Sequence, residues 1–297
     1  VLSLVGSEMC IRDRKMGYPM AGRLALAGYA LTVHDLNSDE AKRFAAEFTC
    51  RSCSSAIKAA QGADIVITML PDSDDVFTVV HGNESLPGIM SVLNPGATII
   101  DMSSCNPLQS QELAGILEGH RITLVDAPVS GGVKKAKEGT LAIMFGGSSE
   151  SLDRCRPILE KIGTSLYHTG AIGSGHAIKA LNNYVSAAGL VAAVEALRTG
   201  EKFGLDPSII TEVLNNSTGK NNTTENKVRQ FMLSETFDSG FSLHLMSKDI
   251  AIAIDLAENL QTPLRLGQAC RDIWEEASII SDEATDHTEM YRLLNSK

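Results

Sequence analysis

Lys179, Asn182 and Asn183 stand at i, i+3 and i+4 in an otherwise apolar run, so all three can share one helical face. A lysine and an amide on such a helix are costly to bury without partners. The alternative is a solvated helix start with a snorkelling lysine. The motif DAPVSGG at 126–132 follows a β-branched run and offers the Ser130 hydroxyl and the bare backbone of Gly131 and Gly132. Glycine lets an anion approach the amides, so this stretch suits a carboxylate, although an isolated SGG also reads as an ordinary turn. DMSS at 101–104 closes another β-branched run, where open sheets collect ligands. In 241–249 a Lys248–Asp249 pair opens a helix; taken alone, it is a capping or surface ion pair.

A dinucleotide needs a glycine-rich turn after a first strand, a helix N-terminus facing the pyrophosphate, and an acid after the second strand. Gly17 opens a helical run, and Asp35 follows eighteen residues later at the end of the strand-like 31–35. That is near the roughly 20 expected for a carboxylate on a ribose 2′-hydroxyl. A carboxylate there repels a 2′-phosphate, which favours NAD, with NADP as the alternative. Asp35 could equally cap the next turn. If Gly17 ends a G-x-G-x-x-G, the other glycines belong at 12 and 14, where the chain has Arg12 and Arg14. Side chains at those positions occupy the space phosphate needs. The segment up to Arg14 also reads as a poor first strand, and its string SLVGSEMCIRDR resembles translated adapter text. The expectation is that residues 1–14 are non-native, replace a lost strand and glycine loop, and weaken cofactor binding.

These residues need a scaffold. Runs at 31–35, 65–70, 98–101, 123–126 and 141–145 read as strands, separated by helical pieces such as 38–48 with Ser38 as N-cap. Strands alternating with helices imply a Rossmann-type, doubly wound parallel sheet in an α/β fold. After Thr169 no convincing strand follows. Helical periodicity over 177–203, 207–214 (Asp206 as N-cap, Pro207 at the first position), 248–258 and 263–280 implies an all-α C-terminal domain. The expected division is a dinucleotide-binding domain at 1–169 and a helical substrate and oligomerisation domain at 170–297.

The chain has 297 residues, 43% of them apolar, and a net charge of −10. Length is enough for two domains without disulfide staples. Acidity argues against nucleic acid as a partner. The richest apolar stretch, 187–194, is shorter than the ~20 residues of a membrane span, and the first residues, VLSLVGSEMC, lack the basic leader of a secretory signal. Six cysteines without scaffold spacing suggest a reduced, cytoplasmic protein. A lone C-x-x-C at 50–53 and seven histidines without an H-x-x-x-H pair give no reason to expect a metal.

From Lys15 onward the chain resembles the β-hydroxyacid dehydrogenase family: MLP at 69–71, DMSS at 101–104, DAPVSGG at 126–132, GSGHAIKALNN at 173–183 and FSLHLMSKD at 241–249 match in order. The resemblance implies an NAD-dependent oxidoreductase of short β-hydroxy acids or their semialdehydes, such as 3-hydroxyisobutyrate or, alternatively, tartronate semialdehyde or glyoxylate. It implies Lys179 as the catalytic residue and Ser130, Gly131, Gly132 and Asn183 as substrate contacts. Met16, Gly17, Asp35, Leu70, Pro71, Ser104 and Lys248 would line the cofactor. It also implies a homodimer or homotetramer acting on a small carboxylate. The segment 221–227 is expected to wall the pocket and set substrate choice. Imine reductases and reader modules on this fold generally lack a lysine at the position of Lys179, which argues against them.

Overall fold

A computed structural model describes residues 2–6 and 14–294, with side chains from 16 onward. They form two compact units, 1–179 and 180–297.

The first unit is built on a nine-stranded sheet. Its strands are β1 (Leu2–Gly6), β2 (Leu31–His34), β3 (Arg51–Ser52), β4 (Ile65–Met69), β5 (Thr98–Asp101), β6 (Thr123–Asp126), β7 (Val129–Ser130), β8 (Leu141–Gly146) and β9 (Gly163–Gly170). The order β3-β2-β1-β4-β5-β6 is entirely parallel. β8 then joins β6 antiparallel and carries β7 antiparallel and β9 parallel. Among the described residues, seven α-helices belong to this unit: α1 (Arg14–Leu26), α2 (Ser38–Phe48), α3 (Ala56–Ala60), α4 (Ser73–His81), α5 (Pro107–Glu118), α6 (Gly132–Glu138) and α7 (Ser149–Leu159). Both sheet faces are covered. Ile67, Ile100 and Val125 belong to one core cluster, and their neighbours Val66, Ile99 and Leu124 to the other. That period of two explains why these strands read as unbroken apolar runs.

Two expectations need correction. The segment before Arg14 does supply a first strand: β1 lies between β2 and β4, with Leu2 opposite both Leu31 and Ile65. The polar residues that made the segment look unsuitable, Glu8 to Arg14, all follow Gly6. Without β1, the facing edges of β2 and β4 would lack backbone partners. The second correction is the cap of α2. Asn37, not Ser38, accepts the Asp39 N–H through its side chain, while Ser38 is the first helical residue.

The second unit is helical. α8 (Ser174–Phe203) runs into it from the first unit, and α9 (Pro207–Asn215), α10 (Asn222–Asn226), α11 (Leu243–Asn259), α12 (Arg265–Ile279) and α13 (Met290–Leu293) follow. Among the described residues no strand follows Gly170, only an isolated bridge between Ser242 and Asp286. Trp274 centres the core with Leu190, Val194, Leu197, Ile250 and Cys270. By length and composition alone, the 30-residue α8 could cross a membrane, a property it shares with core helices. Its Ala187, Leu190, Val194 and Leu197 are buried in this core.

Candidate active site

In an open parallel sheet, ligands gather beyond the carboxyl ends of the strands where strand order reverses. Here that point lies between β1 and β4, the two central strands. Gly17 sits in the first turn of α1, the helix that follows β1 in the chain. Among the described residues, a Cβ added there would meet only the Met69 side chain at 3.7 Å, an ordinary contact. Packing against them therefore does not demand glycine, and the bare backbone leaves room for a ligand. Asp35 follows β2, and its Oδ1 accepts the Asn37 N–H at 2.8 Å, so the carboxylate also fixes the turn into α2. Met16, Asp35 and Pro71 are half-buried and Leu70 is buried. Arg12 lies outside the described residues, and Arg14 opens α1. Switch point, bare first turn and acid after β2 together fit a dinucleotide.

The carboxyl ends of β5 and β6 hold a buried polar network that spacing arguments missed. Asp101 Oδ1 accepts from the Thr68 hydroxyl at 2.8 Å and from the Ser103 N–H at 3.1 Å. Ser103 Oγ in turn accepts the Leu70 N–H at 2.9 Å, tying the ends of β4 and β5 together. Beside it, Ser104 is half-buried. Asp126, fully buried at the end of β6, takes the Gly173 N–H on Oδ1 and the His176 N–H on Oδ2, both at 2.7 Å. These amides belong to the start of α8, which has no partner of its own for them. Two glycines make room for that carboxylate. A Cβ on Gly146 would collide with Asp126 Oδ1, and one on Gly175 would lie 2.8 Å from Oδ2. The His176 ring lies against Ser110 Oγ, with Nδ1 at 2.9 Å, and its Nε2 is 3.7 Å from Asp101 Oδ2. Asp101, Cys105 and His176 thus bring three buried donor atoms within 4.8 Å of one another. A sequence search for ligand pairs on one helix cannot see them.

Lys179 lies one helical turn beyond this anchored start. It is only 8% exposed, so it is not a snorkelling lysine at a solvated helix start. Four residues on, Asn183 is buried and donates through Nδ2 to Asp249 Oδ2. Its Oδ1 accepts from Asn182 Nδ2 at 3.1 Å. Asp249 is buried in α11, and its neighbour Lys248 approaches it at 4.0 Å. The Lys248–Asp249 pair is therefore not a surface ion pair; Asp249 holds the Asn183 amide. The sequence showed the aspartate but not its partner, 66 residues away.

Ser130 ends β7, half-buried, and Gly131 and Gly132 follow at φ 137° and 68°. Both values lie where a side chain is strained. A Cβ on Gly131 would also sit 2.7 Å from Lys135 Cδ.

Comparison with known proteins matches this architecture. Residues 14–170 match the family described as the NAD binding domain of 6-phosphogluconate dehydrogenase. Residues 173–294 match that described as NAD-binding of NADP-dependent 3-hydroxyisobutyrate dehydrogenase. The chain is 34% identical to the 2-(hydroxymethyl)glutarate dehydrogenase of Eubacterium barkeri over 88% of its own length and 85% of the relative's. It is 36% identical to the mitochondrial 3-hydroxyisobutyrate dehydrogenase of Mus musculus over 87% of its length and 78% of the relative's. Among solved structures, the Mycobacterium tuberculosis 3-hydroxyisobutyrate dehydrogenase with L-serine superimposes with a TM-score of 0.86 at 30% identity, covering 99% of both chains. With fold, motif order and both family matches in agreement, the chain belongs to the NAD-dependent β-hydroxyacid dehydrogenase family.

Proposed function

We propose that the chain interconverts short β-hydroxy acids and their semialdehydes, with Lys179 as the catalytic acid–base. The observation that carries this reading is a lysine withdrawn from solvent on a helix whose start is pinned by Asp126. When bound, NAD supplies the hydride acceptor or donor. The protein supplies orientation and the proton. As an ammonium, Lys179 donates a hydrogen bond to the carbonyl oxygen of a semialdehyde and delivers the proton as the alcohol forms. As an amine, it takes the hydroxyl proton in the reverse direction. Asn183, fixed by Asp249, keeps one N–H for the substrate. Ser130, Gly131 and Gly132 supply a hydroxyl and main-chain donors for its carboxylate. Met16, Gly17, Asp35, Leu70, Pro71, Ser104 and Lys248 line the cofactor, with Asp35 selecting NAD over NADP by charge. The working form is a homodimer or homotetramer in the cytoplasm.

Replacing Lys179 by alanine tests the assignment. Turnover of 3-hydroxyisobutyrate with NAD should fall by at least about a thousandfold, a scale set by loss of general acid–base catalysis plus charge stabilisation. NAD affinity, read by fluorescence titration of NADH, should stay within about threefold. Near-normal turnover in Lys179→Ala would remove this residue from the mechanism.

A further inference from the structure

The second unit carries a lysine that the family motifs leave without a task. Lys227 follows α10 in the segment 221–227, and its Nζ lies 3.5 Å from the Ser186 hydroxyl of α8. Ser186 is seven residues after Lys179, two helical turns less about 20°, with about 10.5 Å of rise between them. Asn183 lies between the two, so Lys179, Asn183 and Ser186 form a polar ladder along one stripe of an otherwise apolar helix. Lys227 extends that ladder with a second positive charge.

This ammonium is half-buried and makes no ion pair among the described residues. The acid whose charge acts on it is Asp286. Asp286, however, is fully committed elsewhere: Oδ1 accepts from Ser239 Oγ, Thr288 N and Thr288 Oγ1, and Oδ2 from Gly240 N. Neighbouring His287 carries no negative charge in either protonation state, and burial favours its neutral ring. Burial pushes Lys227 down to about 8, with Asp286 pulling the other way, so it still carries its charge at neutral pH. A charge partly withdrawn from water without an ion pair is costly to keep, and a ligand anion would offset that cost.

We propose that Lys227, with Ser186, receives a second carboxylate on the substrate, so that the preferred β-hydroxy acids are dicarboxylic. This rests on the reading of Lys179 as the group that meets the reacting oxygen. The stripe of α8 that carries Lys179 and Asn183 continues to Ser186 and, through its hydroxyl, to Lys227. A four-carbon hydroxy monoacid has nothing to place there. One lysine and one hydroxyl match a singly charged carboxylate, whereas phosphate favours the fork of an arginine.

The test compares kcat/KM for 2-(hydroxymethyl)glutarate and 3-hydroxyisobutyrate in the full-length chain and in Lys227→Met and Lys227→Arg. The wild type should favour the dicarboxylic acid. Lys227→Met should reduce the ratio of the two kcat/KM values at least tenfold, and Lys227→Arg should restore most of it. In the absence of turnover, glutarate should raise the melting temperature of the wild type more than butyrate does, and Lys227→Met should remove the difference. An unchanged ratio, or equal melting shifts in wild type and Lys227→Met, overturns the assignment. If neither acid is turned over but the glutarate shift depends on Lys227, the anion site stands and the catalytic reading fails.

Discussion

The buried pair of Asn183 and Asp249 sets what the substrate side of the site can offer. An amide side chain has two donor hydrogens and one acceptor oxygen. Asp249 takes one hydrogen and Asn182 occupies the oxygen, which orients the group and leaves a single N–H. Replacing Asp249 by asparagine keeps the shape but removes the charge and lets the Asn183 amide rotate. Loss of a hydrogen bond to a buried charged group is worth about 1.5–3 kcal/mol. Lys248 cannot replace it, because an ammonium accepts no hydrogen bond. Asp249→Asn should therefore lower kcat/KM by about 10–100-fold, and mainly through KM if Asn183 serves binding. An unaltered KM in steady-state kinetics would show that Asn183 does not depend on Asp249.

At the scale of elements, Asp126 is the joint between the end of β6 and the start of α8. Asparagine at this position can accept only one of the two amide hydrogen bonds and brings an N–H₂ group toward the other amide. The loss should cost about 2–4 kcal/mol of stability, visible as a lower urea midpoint, and turnover should fall further than cofactor affinity because Lys179 rides on the loosened helix. A second joint, Asp286, closes the opposite end of the chain onto the turn before α11. Burial works against its carboxylate, but the bonds from His287 and Thr288 outweigh that and hold it well below the usual range. A depressed carboxylate adds stability that is present above about pH 4 and lost as pH falls. His287 acts in the same direction. Burial lowers its pKa, so the unfolded chain gains a proton first, from about pH 6.5 downward. Denaturation midpoints should thus fall on acidification from pH 7 to 4, and Asp286→Asn should flatten the part below about pH 4.5. Equal slopes in variant and wild type would remove Asp286 from the acid response. Of the strands, β2, β4, β5, β6 and β8 were legible beforehand, because well-buried strands leave an apolar record. β3 and β7, at two residues each, leave none, and β9 is partly exposed and polar. β1 was obscured by the charged residues after it. The chemistry-bearing Lys179 was visible from composition on its own helix. The groups that position it, Asp126 and Asp249, were not, because their partners lie 47 to 66 residues away.

At the scale of the whole molecule, apolar surface remains that the described residues do not cover. On α8, Ile178, Leu181 and Val185 are exposed at i, i+3 and i+7, a single stripe, with Val185 at 66%. The residues that bury α8 in its own core, Ala187, Leu190, Val194 and Leu197, lie further along the helix. Phe203 ends α8 at 83% exposure, and Ile209 and Val213 form an i, i+4 pair on the outer face of α9. Large apolar side chains recurring at helical spacing on the surface mark a contact with another chain more often than chance. A second copy of this chain presents the same stripe, and a two-fold arrangement can pair like with like. Light scattering at micromolar concentration should therefore give two or four times the mass of one chain. Glutamate at Val185 together with glutamate at Ile209 would place like charges in such an interface and leave both residues solvated in a lone chain. The double variant should run as a folded monomer, with an unchanged far-ultraviolet circular dichroism spectrum. A wild-type chain that scatters as a monomer, or a double variant that keeps the wild-type mass, would show that these exposed stripes do not join copies of the chain.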